Sequence, residues 1–325
     1  MSIAVEIKPT RPQTSAPITV RLAAPRGFCA GVERAIRTVE QALQRYGAPV
    51  YVRHEIVHNQ HVVARLAKMG AIFIDDLEDA APDRPVVFSA HGASIAAHRE
   101  ADERKLFKID ATCPLVNKVH AQARRYASSG AHVYLIGHTG HAEVVGTAGQ
   151  VPEHGVTIVD CVERVSALID RAGPKAYVTQ TTLSVDDTAS IIAALKARFP
   201  DIQSPRTEDI CYATSNRQAA VKTIAPSTDM FVVIGSPASS NSNRMVDVAL
   251  AAGATNACLI DDWRAFDFST LDNVKSLGLS AGASAPEELV ERFLEALADR
   301  FDIVVETHEI TQETISFNLP HQLAS

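Results

Sequence analysis

What most limits the folds open to this chain is an internal repeat. Cys29, Cys113 and Cys211 each stand where an apolar, strand-like run gives way to a helical pattern. After each cysteine the residues follow one plan: amphipathic helix, apolar strand, polar loop, second helix, second strand, small polar loop. Three copies of such a unit predict a pseudo-threefold α/β body with one thiolate per unit directed at a shared centre.

In the first unit Val32, Ile36, Val39 and Leu43 fall at helical spacing. Pro114, directly after Cys113, suits the first turn of a helix, where a missing N–H costs nothing. Apolar strands follow at 49–53, 132–137 and 230–235, and they open into polar loops at 55–59, 138–143 and 236–243. The intervals from Cys29 to His58, Cys113 to His141 and Cys211 to Ser240 are 29, 28 and 29 residues. A second strand per unit ends in a small loop, at 89–92, 179–182 and 280–284. Loops at the carboxyl ends of strands are where open α/β sheets bind ligands.

With 325 residues and a hydrophobic fraction of 46%, the chain has core enough for two or three small domains. The expected boundaries are a flexible N-terminal tail at 1–19, α/β units at 20–112, 113–208 and 209–300, and a closing strand and tail at 301–325. The opening strand of the first unit is also a candidate to pack with the third. Joints are expected at 108–111 and 201–209. A net charge of −7 without a Lys/Arg run argues against nucleic acid, although helix ends and hydroxyls can still hold a small anion. Residues 1–19 hold no apolar core of signal-peptide length. No run of about 18 apolar residues is present to span a membrane. A cytoplasmic location, where thiols stay reduced, is expected.

There is no Cys-x-x-Cys, so ribbon-type zinc and thioredoxin-type chemistry are poorly supported. Cys161 and Cys258 follow or lie in strand-like runs and are expected as core residues. Cys29, Cys113 and Cys211 sit at helix starts, where the helix dipole favours a thiolate. Three thiolates leave one coordination position open, on zinc or on a [4Fe–4S] cube with one unligated iron; spacing alone does not choose between them.

His58, His91 and His141 occupy corresponding loops, together with Ser239, Ser240, Asn241 and Ser284 of the third unit. Imidazolium, hydroxyl and amide donors at a helix start suit an oxyanion of phosphate type. Glu143, two residues beyond His141, is expected to have a raised pKa near an anionic site and to deliver a proton. Thr181 and Thr182 end a strand, where they orient a substrate hydroxyl or cap the next helix. His54, His61, His98, His120, His132 and His154 are expected as surface or core residues without a function, with His138 less clear because it shares the His141 loop.

Several runs together resemble the 4-hydroxy-3-methylbut-2-enyl diphosphate reductase family. They are Pro-Arg-Gly-Phe-Cys29-Ala-Gly-Val, Glu-Ile-Val-His58-Asn, Phe-Ser-Ala-His91-Gly, Asp-Ala-Thr-Cys113-Pro-Leu-Val and Gly-His-Thr-Gly-His141-Ala-Glu143. Thr-Gln-Thr181-Thr182-Leu-Ser, Asp-Ile-Cys211-Tyr-Ala-Thr, Ser-Ser240-Asn241-Ser-Asn and Ala-Gly-Ala-Ser284-Ala-Pro complete the set. The resemblance implies three similar α/β domains in a trefoil around a central [4Fe–4S] cluster ligated by Cys29, Cys113 and Cys211. It implies diphosphate contacts from His58, His91, His141, Ser239, Ser240, Asn241 and Ser284, with Thr181 near the substrate hydroxyl and Glu143 as proton donor. The implied reaction is a two-electron reductive dehydroxylation, with the substrate hydroxyl on the unligated iron, giving isopentenyl and dimethylallyl diphosphate. Reduced ferredoxin or flavodoxin is the implied electron donor. Two rivals are a three-cysteine cluster dehydratase like quinolinate synthase and a non-catalytic iron–sulfur sensor. The serine–asparagine run and three loop histidines favour a diphosphate over a dicarboxylate, and no basic partner surface speaks for a sensor.

Overall fold

A computed structural model describes residues 3–7 and 17–323. The chain divides into two compact units. One runs through Cys29 and resumes from Tyr212 to Ile315; the other holds Ala30–Cys211 and resumes at Ser316.

The second of these carries two parallel sheets. The first sheet has the strand order Ala71–Ile74, Val50–Arg53, Pro85–Phe88, Phe107–Asp110. The second has the order Val156–Val159, His132–Ile136, Lys175–Thr179. Residues 108–111, expected as a joint, instead supply most of the last strand of the first sheet, because Ile109 is buried beside Val87. His132–Ile136 is buried along its whole length, as a parallel strand covered on both faces must be. Its alternating side chains feed two cores: Val133 and Leu135 enter one, Tyr134 and Ile136 the other. The Ala30–Tyr46 helix buries Ala35, Ile36, Val39, Ala42 and Leu43, a stripe of helical period. Each of the larger side chains in that stripe contributes about 1.5–3 kcal/mol by leaving water.

The other unit is built on one six-stranded sheet, ordered Ile3–Ile7, Ile303–Glu309, Ile18–Ala24, Ser276–Ala281, Met230–Ile234, Asn256–Ile260. Every pairing is parallel except Ile3–Ile7 with Ile303–Glu309, which is antiparallel. The opening strand Ile18–Ala24 pairs with Ser276–Ala281 on one side and with the closing strand Ile303–Glu309 on the other. Ile3–Ile7 lies within the stretch expected as a flexible tail; its Ile-Ala-Val-Glu-Ile sequence is rich in β-branched residues and adds to the sheet edge. At the other end of that expectation residues 18–19 already belong to the Ile18–Ala24 strand, and residues 1–2 and 8–16 lie outside the described residues. Val232 and Ile234 face one core with Leu277 and Leu279, while Phe231 and Val233 face the helices Tyr212–Ile224 and Ser240–Ala251. After the closing strand, residues 318 and 322 are tied down: Arg34 Nε donates to the Asn318 carbonyl at 2.7 Å and Gln322 Nε2 to that of Lys108 at 3.2 Å. Among the described residues, no helix is long and apolar enough to cross a membrane.

Candidate active site

The three repeat cysteines are held by the same backbone device. The Cys113 N–H donates to the Ala90 carbonyl at 3.0 Å, Cys211 N–H to Thr181 at 3.0 Å and Cys29 N–H to Ala283 at 3.2 Å. Each acceptor lies in the small polar loop that closes the preceding repeat, counting the third as preceding the first. Each cysteine then directly precedes or caps a helix: Ala30–Tyr46, Pro114–Ser128 or Tyr212–Ile224. All three are half-buried, and none is in a disulfide. Their type and placement fit soft-metal ligation. Among the described residues no three His, Cys, Asp or Glu side chains converge as ligands of a single ion. An iron–sulfur cube does not ask for that, since it spreads its thiolates over separate irons. Cys258 is a strand residue whose thiol burial pushes up to about 11, which makes it a poor thiolate. Cys161 precedes the short helix Val162–Ser166, half-buried and not inside a strand.

In the Ala30–Cys211 unit the three loop histidines converge. His58 and His91 stack with ring centroids 4.1 Å apart, and His141 meets them edge-on at 5.4 and 5.9 Å. Local chain chemistry sets each one. Asn59 caps the Gln60–Lys68 helix by accepting the Val62 N–H, which fixes His58 just before it. His141 caps Ala142–Ala148, its Nδ1 accepting the Glu143 N–H at 3.2 Å. An accepting Nδ1 means a neutral ring with its proton on Nε2. Burial, reinforced by His58 and His138, holds His141 at about 4. Burial also pushes His91 well below the usual imidazole range, with the His58 and His141 rings adding to it. Imidazolium donors were the expectation for this cluster; burial instead favours the neutral form of these two rings. His58 Nδ1 lies 2.9 Å from Glu55 Oε2, a partner in the same loop that sequence reasoning missed.

Glu143 is 2% exposed, and its carboxylate accepts the Thr181 N–H at 2.6 Å and the Thr181 hydroxyl at 3.0 Å. Burial raises its pKa to about 7, against the lowering effect of those two hydrogen bonds, and Asp209 adds to the rise. The direction matches expectation, but the main cause is desolvation within the protein. Gln180 was also missed: buried at the strand end, it accepts the His138 N–H and donates to Thr182. Gly92 matters for packing. At φ +81 it leaves room for a buried His120, whose Cε1 lies 2.6 Å from where a Cβ would stand. His120 therefore packs under the His91 loop, held at about 4 chiefly by burial.

In the other unit Ser239 caps Ser240–Ala251, its Oγ accepting the Ser242 N–H at 3.3 Å. Asn241 is 2% exposed, and its Oδ1 is buried without a hydrogen-bond partner, a polar atom left for a ligand. Ser284 is buried in the turn after Ser276–Ala281. Ser242, Gly235 and Gly282 were missed. A Cβ on Gly282 would stand 2.0 Å from Ser242 Oγ and one on Gly235 2.2 Å, so glycine at both strand ends admits the helix start. Glycine closing two neighbouring strands was the available signal.

A family model described as LytB protein matches residues 20–298. The chain belongs to the LytB family. Relatives named 4-hydroxy-3-methylbut-2-enyl diphosphate reductase match it over nearly their whole length. The one from Hyphomonas neptunium is 55% identical over 96% of this chain and 99% of its own. The one from Phenylobacterium zucineum is 54% identical over 97% and 99%. Among solved structures, the E-1-hydroxy-2-methyl-but-2-enyl-4-diphosphate reductase of Plasmodium falciparum superposes with a TM-score of 0.90 at 38% identity, covering 95% of this chain and 97% of that one. This LytB chain is therefore an α/β oxidoreductase by family.

Proposed function

We propose that this chain reduces (E)-4-hydroxy-3-methylbut-2-enyl diphosphate to isopentenyl and dimethylallyl diphosphate. The observation that carries the reading is the buried Glu143–Thr181 pair beside three converged histidines, in a chain whose relatives bear that substrate in their names. Cys29, Cys113 and Cys211 are the proposed ligands of one [4Fe–4S] cluster per chain. When bound, the cluster supplies electrons singly and a Lewis-acidic iron for the oxygen that leaves. Glu143, half-protonated near neutrality, holds the proton that lets this oxygen depart as water, and the Thr181 hydroxyl orients the substrate hydroxyl. His58, His91 and His141, with Ser239, Ser240, Asn241 and Ser284, are the proposed diphosphate contacts. The neutral His91 and His141 rings each keep one N–H with which to donate to an anion. A reduced ferredoxin or flavodoxin as donor, and a cytoplasmic setting that keeps the thiols reduced, complete the proposal.

The test is anaerobic reconstitution of the wild type, Cys113→Ser and Cys161→Ser, with iron and sulfide measured per chain, followed by reduction with dithionite and addition of substrate. The wild type and Cys161→Ser are expected to hold four irons and to change their electron paramagnetic resonance spectrum with substrate. Cys113→Ser is expected to lose the cluster. Full iron in Cys113→Ser would overturn the ligand set, and a wild-type spectrum indifferent to substrate would favour a sensor over an enzyme.

A further inference from the structure

Each helix that follows a repeat cysteine carries one basic side chain five or six residues on: Arg34, Lys118 and Arg217. Each of them reaches the segment that leads into another repeat cysteine. Arg34 Nη1 donates to the Thr112 carbonyl at 3.0 Å and Nη2 to that of Asp110 at 3.5 Å, the two residues leading into Cys113. Lys118 Nζ donates to the Glu208 carbonyl and to Thr207 Oγ1 at 3.1 Å, and pairs with buried Asp209 at 3.4 Å, all just ahead of Cys211. Arg217 is fully buried; its Nη2 donates to the Gly27 carbonyl at 2.8 Å and to Phe28 at 3.2 Å, the residues leading into Cys29. The order is closed in sequence: the helix after Cys29 serves Cys113, the helix after Cys113 serves Cys211, and the helix after Cys211 serves Cys29.

We infer that Arg34, Lys118 and Arg217 are positioning residues that clamp the peptides entering the three cysteines and set the charge around the group those cysteines hold. The inference rests on the cluster reading given above. Its mechanical part follows from the bonding pattern. At Cys29 and Cys113 a single peptide is pinned at both ends, its carbonyl by the guanidinium and its N–H by the closing loop. Arg217 is itself oriented by Glu313, with Nη1 to Oε1 at 3.0 Å, and by the Ala213 carbonyl at 3.0 Å, so all of its nitrogens are engaged. A guanidinium fork can hold two carbonyls and a carboxylate at once. The electrostatic part is that three cations stand on the segments bearing three thiolates. Net charge near an iron–sulfur centre is one of the protein's levers on its reduction potential.

The experiment uses the anaerobically reconstituted full chain and measures two things: midpoint potential, and the rate at which a ferrous chelator strips iron. Lys118→Met and Arg34→Gln are expected to shift the midpoint to more negative values and to release iron at least threefold faster. Lys118→Arg is expected to restore both. Val221→Ala, a cavity in the core behind the Tyr212–Ile224 helix, controls for lost stability: it should lower the melting temperature yet leave potential and release rate alone. Should Arg34→Gln fail to fold, Lys118 decides, since its side chain is 35% exposed. Wild-type potential and release in the variants of a loaded protein would overturn the clamp alone. A wild-type chain that takes up no cluster would overturn the parent reading and the clamp with it.

Discussion

Glu143 is a carboxyl group that burial has moved into the neutral range, to about 7, while Thr181 keeps a hydrogen-bonded place for its ionised form. As a proton donor it must be protonated, so turnover should fall as pH rises through about 7. Glu143→Gln should lower turnover by roughly 10²- to 10⁴-fold with normal iron content. The same shift has a stability consequence. A folded-state pKa raised above the ordinary carboxyl value contributes stability that is whole at acidic pH and lost as pH rises through about 7. Glu143→Gln should therefore melt no lower than the wild type above pH 7, whatever its activity, and wild-type turnover with an unchanged pH profile in this variant would remove Glu143 from the mechanism. The place of Glu143 was legible in the sequence because it stands two residues beyond His141. The cause of its pKa was not, because desolvation depends on what packs over a side chain. For the same reason the neutrality of His91 and His141, which burial causes first and neighbouring rings reinforce, was not legible in the sequence.

At the scale of elements, a few glycines decide whether the loops can carry their side chains. Gly92→Ala forces a non-glycine residue into the left-handed region, at about 1–3 kcal/mol. It also drives a methyl against His120, where the Cβ position is 2.6 Å from Cε1. Gly140, at φ +85 with nothing within 4 Å of its Cβ position, is the control in which only the backbone term acts. Urea unfolding should find Gly92→Ala the more destabilised of the two, and equal losses would refute the packing role of Gly92. The strands and main helices were legible from period and apolar runs, since parallel strands read as near-continuous apolar segments. The strand at Phe107–Asp110 was not, because Phe107-Lys108-Ile109-Asp110 alternates with charge and resembles a joint. Arg217 was also missed, though a signal was present: it falls four residues from both Ala213 and Val221, on the apolar stripe of its helix. A cation at that register is buried only when its donors are spoken for.

At the scale of the whole chain, near-equal spacing after three cysteines counted the repeats, and the common N–H bonds of Cys29, Cys113 and Cys211 are its structural counterpart. Spacing does not say which copies pack into one unit. The chain changes unit at Cys29–Ala30, at Cys211–Tyr212 and at Ile315–Ser316, so two of the three changes fall at a repeat cysteine. The central claim, a reductase for an allylic diphosphate, is tested most directly by anaerobic oxidation of a reduced viologen by cluster-loaded protein, with and without (E)-4-hydroxy-3-methylbut-2-enyl diphosphate. The expected result is substrate-dependent oxidation that yields isopentenyl and dimethylallyl diphosphate. No turnover from protein with a verified four-iron cluster would contradict it.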